Sequence, residues 1–152
     1  FKIAWTAVKS GWEKNADGKW VRKAFAITKA DDDRNLVFGW ANVSIRKDGE
    51  QIVDHHEDMI DPEDLEDAAY VFNLEFRETG VMHKGDAVGH LVESLVVTPE
   101  KLQKMGLPAD SLPIGWWCGF HIPDDAVFAK VKSGEYAMFS IQGRAIREEV
   151  NT

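Results

Sequence analysis

Cysteine is nearly missing from this chain. Cys118 stands alone among 152 residues, so no internal disulfide can form and a disulfide-stapled scaffold is excluded. A single thiol agrees with a reducing compartment. It sits in the apolar run Trp116-Trp117-Cys118-Gly119-Phe120, where a buried inert thiol is expected rather than a nucleophile. Basic charge is also short: 18 Lys and Arg face 26 Asp and Glu, a net charge of −8. Phosphate contacts need clustered Lys and Arg, so nucleic acid is not an expected partner. The one short basic run, Lys19-Trp20-Val21-Arg22-Lys23, reads as the start of an exposed strand. No apolar run approaches the roughly 20 residues of a membrane span, and no membrane is expected. A basic-then-apolar signal peptide, a Gly-rich phosphate loop and a zinc cysteine framework are all missing. Phe1 is not an initiator Met, so a fragment of a longer protein is expected.

What is present suffices for one domain with a real core. Hydrophobic residues make up 44%, and six Trp with eight Phe argue for a well-packed interior. Residues 1–152 are read as a single domain with its core at about 20–148, because residues 1–19 are mixed in pattern. From Trp20 to Thr28 the pattern becomes strand-like, and Asp31 to Asn35 is a turn by composition. Leu36 to Ile45 is a strong strand, rich in β-branched and aromatic residues, closed by a turn at Lys47 to Glu50. Asp61-Pro62-Glu63-Asp64 opens a helix: Asp61 is a capping residue, Pro62 suits the first position, and the acids favour the positive end of the dipole. Leu65, Ala68, Ala69, Phe72 and Phe76 share one helical face, and Gly80 is expected to stop the helix. Strands follow at Val88 to Val97, Gly115 to Ile122 and Glu135 to Arg147. Short helices start at Thr98-Pro99-Glu100 and at Pro123-Asp124-Asp125, the latter stopped by Gly134. Strands with single helices inserted, rather than βαβ units, favour a mainly antiparallel α+β domain or a small β-barrel.

An acid, a histidine and a serine in separate segments are the material of a nucleophile, its base and the group that orients the base. Ser140 lies mid-strand in Tyr136-Ala137-Met138-Phe139-Ser140-Ile141-Gln142-Gly143, His83 in Val81-Met82-His83-Lys84-Gly85, and Asp54 in a polar loop. Taken singly, each has a plain structural role: filler, half-exposed side chain, solvated carboxylate. Ser94 is the rival nucleophile. If Leu91, Glu93 and Leu95 face the core, Ser94 points away and is structural. Asp54-His55-His56-Glu57-Asp58 holds five potential metal ligands in a row, yet adjacent polar residues more often form an exposed loop than a metal site. His90 and His121 sit in strand patterns and read as packing or surface residues.

The ordered set of motifs resembles the XkdF-type serine proteases of tailed phages. It runs through Asp54…Glu57-Asp58-Met59-Ile60, Ala68-Ala69, His83, Gly89-His90-Leu91-Val92-Glu93-Ser94, Gly115 to Phe120, Phe128-Ala129-Lys130-Val131-Lys132-Ser133-Gly134-Glu135 and Phe139 to Gly143. The resemblance covers about Ala24 to Ile146. It implies kinship with prohead maturation proteases, whose herpesvirus-protease-like fold is a small β-barrel ringed by helices. It implies Ser140 as nucleophile, His83 as general base and Asp54 as third member, with Glu57, Asp58 and Glu93 as alternatives for that place. The oxyanion hole is expected from backbone N–H groups near Gly143 and Arg144. No cofactor is implied. The implied substrates are phage scaffold and major capsid proteins and the chain itself, inside the procapsid in the host bacterial cytoplasm; a homo-oligomer is compatible with this. Two other readings stand beside it: a non-catalytic assembly module that binds portal or scaffold, and a metal-dependent hydrolase using His55, His56 and Asp58.

Overall fold

The computed structural model describes residues 2–7, 12–14, 20–22, 27–53, 58–81 and 84–142. Its strands are β1 (Lys2–Ala7), β2 (Trp12–Lys14), β3 (Trp20–Arg22), β4 (Ile27–Asp31), β5 (Leu36–Ile45), β6 (Glu78–Val81), β7 (Lys84–Val97), β8 (Ile114–His121) and β9 (Tyr136–Gln142). Its helices are α1 (Pro62–Glu75), α2 (Pro99–Lys104) and α3 (Asp125–Lys132). Seven strands form one sheet in the order β4-β5-β8-β7-β6-β1-β9, and β2 with β3 forms a separate hairpin. The first five strands of that order are antiparallel throughout. β1 then joins β6 in parallel and β9 antiparallel. Among the described residues no helix is long and apolar enough to cross a membrane.

The α+β class agrees with the sequence; the closed barrel does not. β9 at one end of the sheet comes within 8 Å of β5 and β4 at the other, measured between Cα atoms. No ladder joins them among the described residues. The sheet curls until its ends approach, and among the described residues no pairing closes it there. Register irregularities within β4, β5, β6 and β7 supply local bends of the kind that re-aim strands.

One side of the curled sheet carries the main core. Val37, Val96, Trp116, Cys118, Phe120 and Ile122 point there, and Leu65, Ala69 and Phe72 of α1 cover them. Phe72 meets the Trp116 ring edge-on at 5.4 Å, and Phe120 meets Phe139 of β9 at 5.4 Å. Each such fully buried aromatic contributes about 1.5–3 kcal/mol. α2 packs on a second cluster of Val97, Leu102 and Ile114.

Several local expectations need correction. α1 starts with Pro62 as read, but the Asp61 side chain makes no capping hydrogen bond. The helix ends at Glu75, not at Gly80. Arg77 takes the left-handed conformation (φ 55°), and Phe72 O accepts from the N–H groups of both Phe76 and Arg77. Gly80 instead lies in β6. Phe76 therefore leaves the buried face and is 41% exposed. In β7 a register shift between Leu91 and Glu93 breaks the alternation. Leu91 packs on the core, Glu93 is exposed on the opposite face, and Ser94 pairs with core residue Cys118. The N-terminal strand β1 falls in the stretch read as mixed. The last strand is described to Gln142 and its predicted extension lies outside the described residues.

Candidate active site

Ser140 lies on β9, and two features hold that strand. α3 ends at Lys132 with Ser133 as its C-cap, Gly134 turns the chain with φ 78°, and Tyr136 begins the strand with the Lys130 ammonium 5.3 Å from its ring. Phe139, next to Ser140, is 2% exposed and locked against Phe120. A serine whose neighbour is anchored this way sits on a rigid element, which is what a positioned nucleophile needs.

The register ties Ser140 to the rest of the sheet. Ser140 pairs with Ala4 of β1, and Ala4 pairs on its other side with Gly80 of β6. The row Ser140–Ala4–Gly80 therefore crosses three strands, and its ends are separated by two strand spacings, roughly 10 Å. β6 ends at Val81, which pairs with Lys84 at the start of β7. His83 follows Gly80 by three positions in the sequence. The strand bearing Ser140 and the strand leading to His83 thus flank the same strand, β1. His83 itself lies outside the described residues, as do Asp54, His55, His56, Glu57, Gly143 and Arg144.

Of the alternatives for the third member, Asp58 is half-buried just before α1. Glu93 is exposed and accepts a hydrogen bond from Trp117 Nε1 at 2.9 Å. The rival nucleophiles are engaged. Ser94 Oγ accepts from Trp116 Nε1 at 2.9 Å, which gives the buried indole its partner. Burial pushes the Cys118 thiol well above its ordinary range; the Glu93 charge adds to this and a hydrogen bond with Ser94 opposes it. That thiol stays protonated and unreactive at neutral pH. No three metal-type side chains converge among the described residues.

Sequence reasoning missed two polar groups on β5. Ser44 is 2% exposed and its hydroxyl has no hydrogen-bond partner among the described residues; the same holds for Asn42 Oδ1. Unpartnered buried polar atoms are rare; strain, function or a bound water accounts for them. Ile52 N donates to Ser44 O at 2.8 Å, so the chain lies beside β5 two residues before Asp54 in the sequence. Asn42 and Ser44 lie in a strand that reads as β-branched and apolar, and only the burial of their oxygens sets them apart. A shallow cleft of about 460 Å³ lies elsewhere, between Lys29, Arg34, Phe38, Glu93 and Trp117.

A scan against family models places the chain among proteins named as phage serine proteases. It belongs to the family described as "Putative phage serine protease XkdF", whose model matches residues 23–149. β1 precedes the matched region. No curated protein and no solved structure matches the chain.

Proposed function

We propose that this chain is a serine endopeptidase of phage prohead maturation. The observation that carries the reading is the family match together with the register that sets the Ser140 strand and β6, two residues before His83 in the sequence, on either side of β1. In this reading His83 takes the proton of Ser140 Oγ as the oxygen attacks a peptide carbonyl. The C–N bond then breaks, the leaving amine receives that proton, and water releases the acyl-enzyme by the same route. Asp54 holds the imidazole tautomer and favours the imidazolium. Backbone N–H groups near Gly143 and Arg144 receive the oxyanion, a stabilisation of about 3–4 kcal/mol per donor. The substrates are scaffold and capsid propeptides, and the chain's own tail, within the procapsid in the host cytoplasm.

A second reading has an observation of its own. Val71 and Leu74 on the outer side of α1 are 44% and 76% exposed, beside Tyr70 at 46%. A non-catalytic assembly module docking on portal or scaffold would use such a face. The experiment that separates the two is co-expression of the full precursor with scaffold and capsid proteins, wild type beside Ser140→Ala, followed by intact masses. Shortening in the wild type alone supports the protease. Normal capsid assembly with no processing in either supports the module. Processing that stops on chelation would instead point to His55, His56 and Asp58.

A further inference from the structure

His90 and His121 play no part in the proposed reaction, yet the sheet sets them side by side. His90 of β7 is directly opposite His121 of β8, and on its other flank His90 is directly opposite Glu78 of β6. All three project from the same face. His121 lies between the core residues Phe120 and Ile122, each 0% exposed. Glu78 precedes Thr79, which is 1% exposed, and His90 precedes Leu91, which packs on the core. Strand alternation therefore turns Glu78, His90 and His121 together onto the opposite face of the sheet. Glu78 and His90 are exposed and His121 is half-buried. None of the three side chains has a hydrogen-bond or ion-pair partner among the described residues. Beyond His121 the row continues to Leu36 and then Asp31, whose carboxylate is held by Arg34.

We propose that His90 and His121, with Glu78 beside them, form a binding site for a borderline divalent cation such as Zn²⁺, Ni²⁺ or Cu²⁺. Directly opposed residues in an antiparallel pair have Cβ atoms about 4.5–5.5 Å apart, a spacing from which two imidazoles can reach one ion. Two imidazoles and a carboxylate suit these metals rather than Mg²⁺ or Ca²⁺, which prefer oxygen alone. The three side chains do not converge as they stand. Glu78 is exposed and turns about its own side-chain bonds, whereas the backbone that sets the pair is fixed by two ladders. The ion would tie β6, β7 and β8 together, so its binding would also raise the melting temperature.

The test is titration of the untagged full chain with zinc chloride and with nickel chloride, followed by calorimetry and by thermal melting. One ion per chain and a raised melting temperature are expected. His90→Gln and His121→Gln should each weaken binding roughly tenfold or more, since even residues that only support ligands cost that much. Glu78→Gln should weaken it less, and a His55→Gln, His56→Gln double variant should leave it unchanged. His90 is exposed, so His90→Gln should melt like the wild type without metal. No binding by the wild type, undiminished binding by His90→Gln, or a loss that follows His55 and His56 would each overturn the proposal.

Discussion

Replacing Gly115 by Ala adds one methyl group where the sheet leaves no room for it. Gly115 lies on β8 between Val43 of β5 and Val97 of β7, so both flanks are occupied by paired strands. A Cβ built there would collide with the carbonyl oxygen of Asn42 and lie 2.8 Å from Val43 Cα. Both are backbone atoms, so no rotamer change can relieve the clash. β5 would have to move away by roughly half an ångström or more, stretching its ladder with β8. Overpacking of this kind costs about 1–3 kcal/mol, and a rigid backbone neighbour puts it at the upper end. Restricting the unfolded chain returns about 0.5 kcal/mol. The net loss of roughly 2–3 kcal/mol corresponds to a fall in melting temperature of about 5–10 °C for a chain of this size. Gly49→Ala is the matched control. It meets nothing within 4 Å but requires φ of +85°, so it carries only the left-handed strain, about 1 kcal/mol. Thermal and urea unfolding followed by circular dichroism would measure both. A Gly115→Ala protein as stable as the wild type, or more stable than Gly49→Ala, would refute the β5–β8 register.

Three further outcomes follow from other parts of the molecule. Ala4→Pro removes a backbone donor from β1, which has a paired strand on each side, and should cost about 3 kcal/mol or more along with any cleavage activity; a folded, active variant would show that β1 does not join the sheet. Lys101 holds Glu66 through a partly buried ion pair, and Tyr70 also donates to Glu66 at 2.7 Å. Hydrogen bonds from Lys101 and then Tyr70 lower the Glu66 carboxyl below its ordinary value. Burial would lower the Lys101 ammonium, but its bonds to Glu66 and Tyr70 outweigh this and raise it. The carboxylate's share of stability, about 1 kcal/mol or less, is present above its unfolded value and lost as pH falls through the lowered folded value. Glu66→Gln should flatten that acid limb in pH-dependent melts, and an unchanged limb would count against the pair. The Cys118 thiol should resist a thiol reagent in the native protein and react once in denaturant; rapid native reaction would contradict its burial.

The sequence made the sheet's central strands plain because their signals are local. β5 and β8 are dense in β-branched and aromatic residues, and the Thr98 cap of α2 and the Asp124 cap of α3 form as their spacing suggests. What failed was decided by partners distant in the chain. β1 has an ordinary alternating pattern, and its place depends on Gly80 and Ser140 far along the sequence. Gly80 looks like a helix stop, but Arg77 turns the chain first and leaves Gly80 to pair with Ala4. The bulge at Val92 reverses the faces of Glu93 and Ser94, and a period-two reading has no way to count an extra residue. Ser140, His83 and Asp54 were legible as residue types in separate segments; the row that links Ser140 to the β6 end belongs to the topology alone.

The account's central claim is that Ser140 is a nucleophile activated by His83, and covalent labelling tests it most directly. The full chain is treated with a fluorophosphonate, digested, and mapped by mass spectrometry. One label on the peptide holding Ser140 is predicted, lost on Ser140→Ala and strongly reduced on His83→Ala. A label on another serine, or none at all on the folded chain, would contradict the claim.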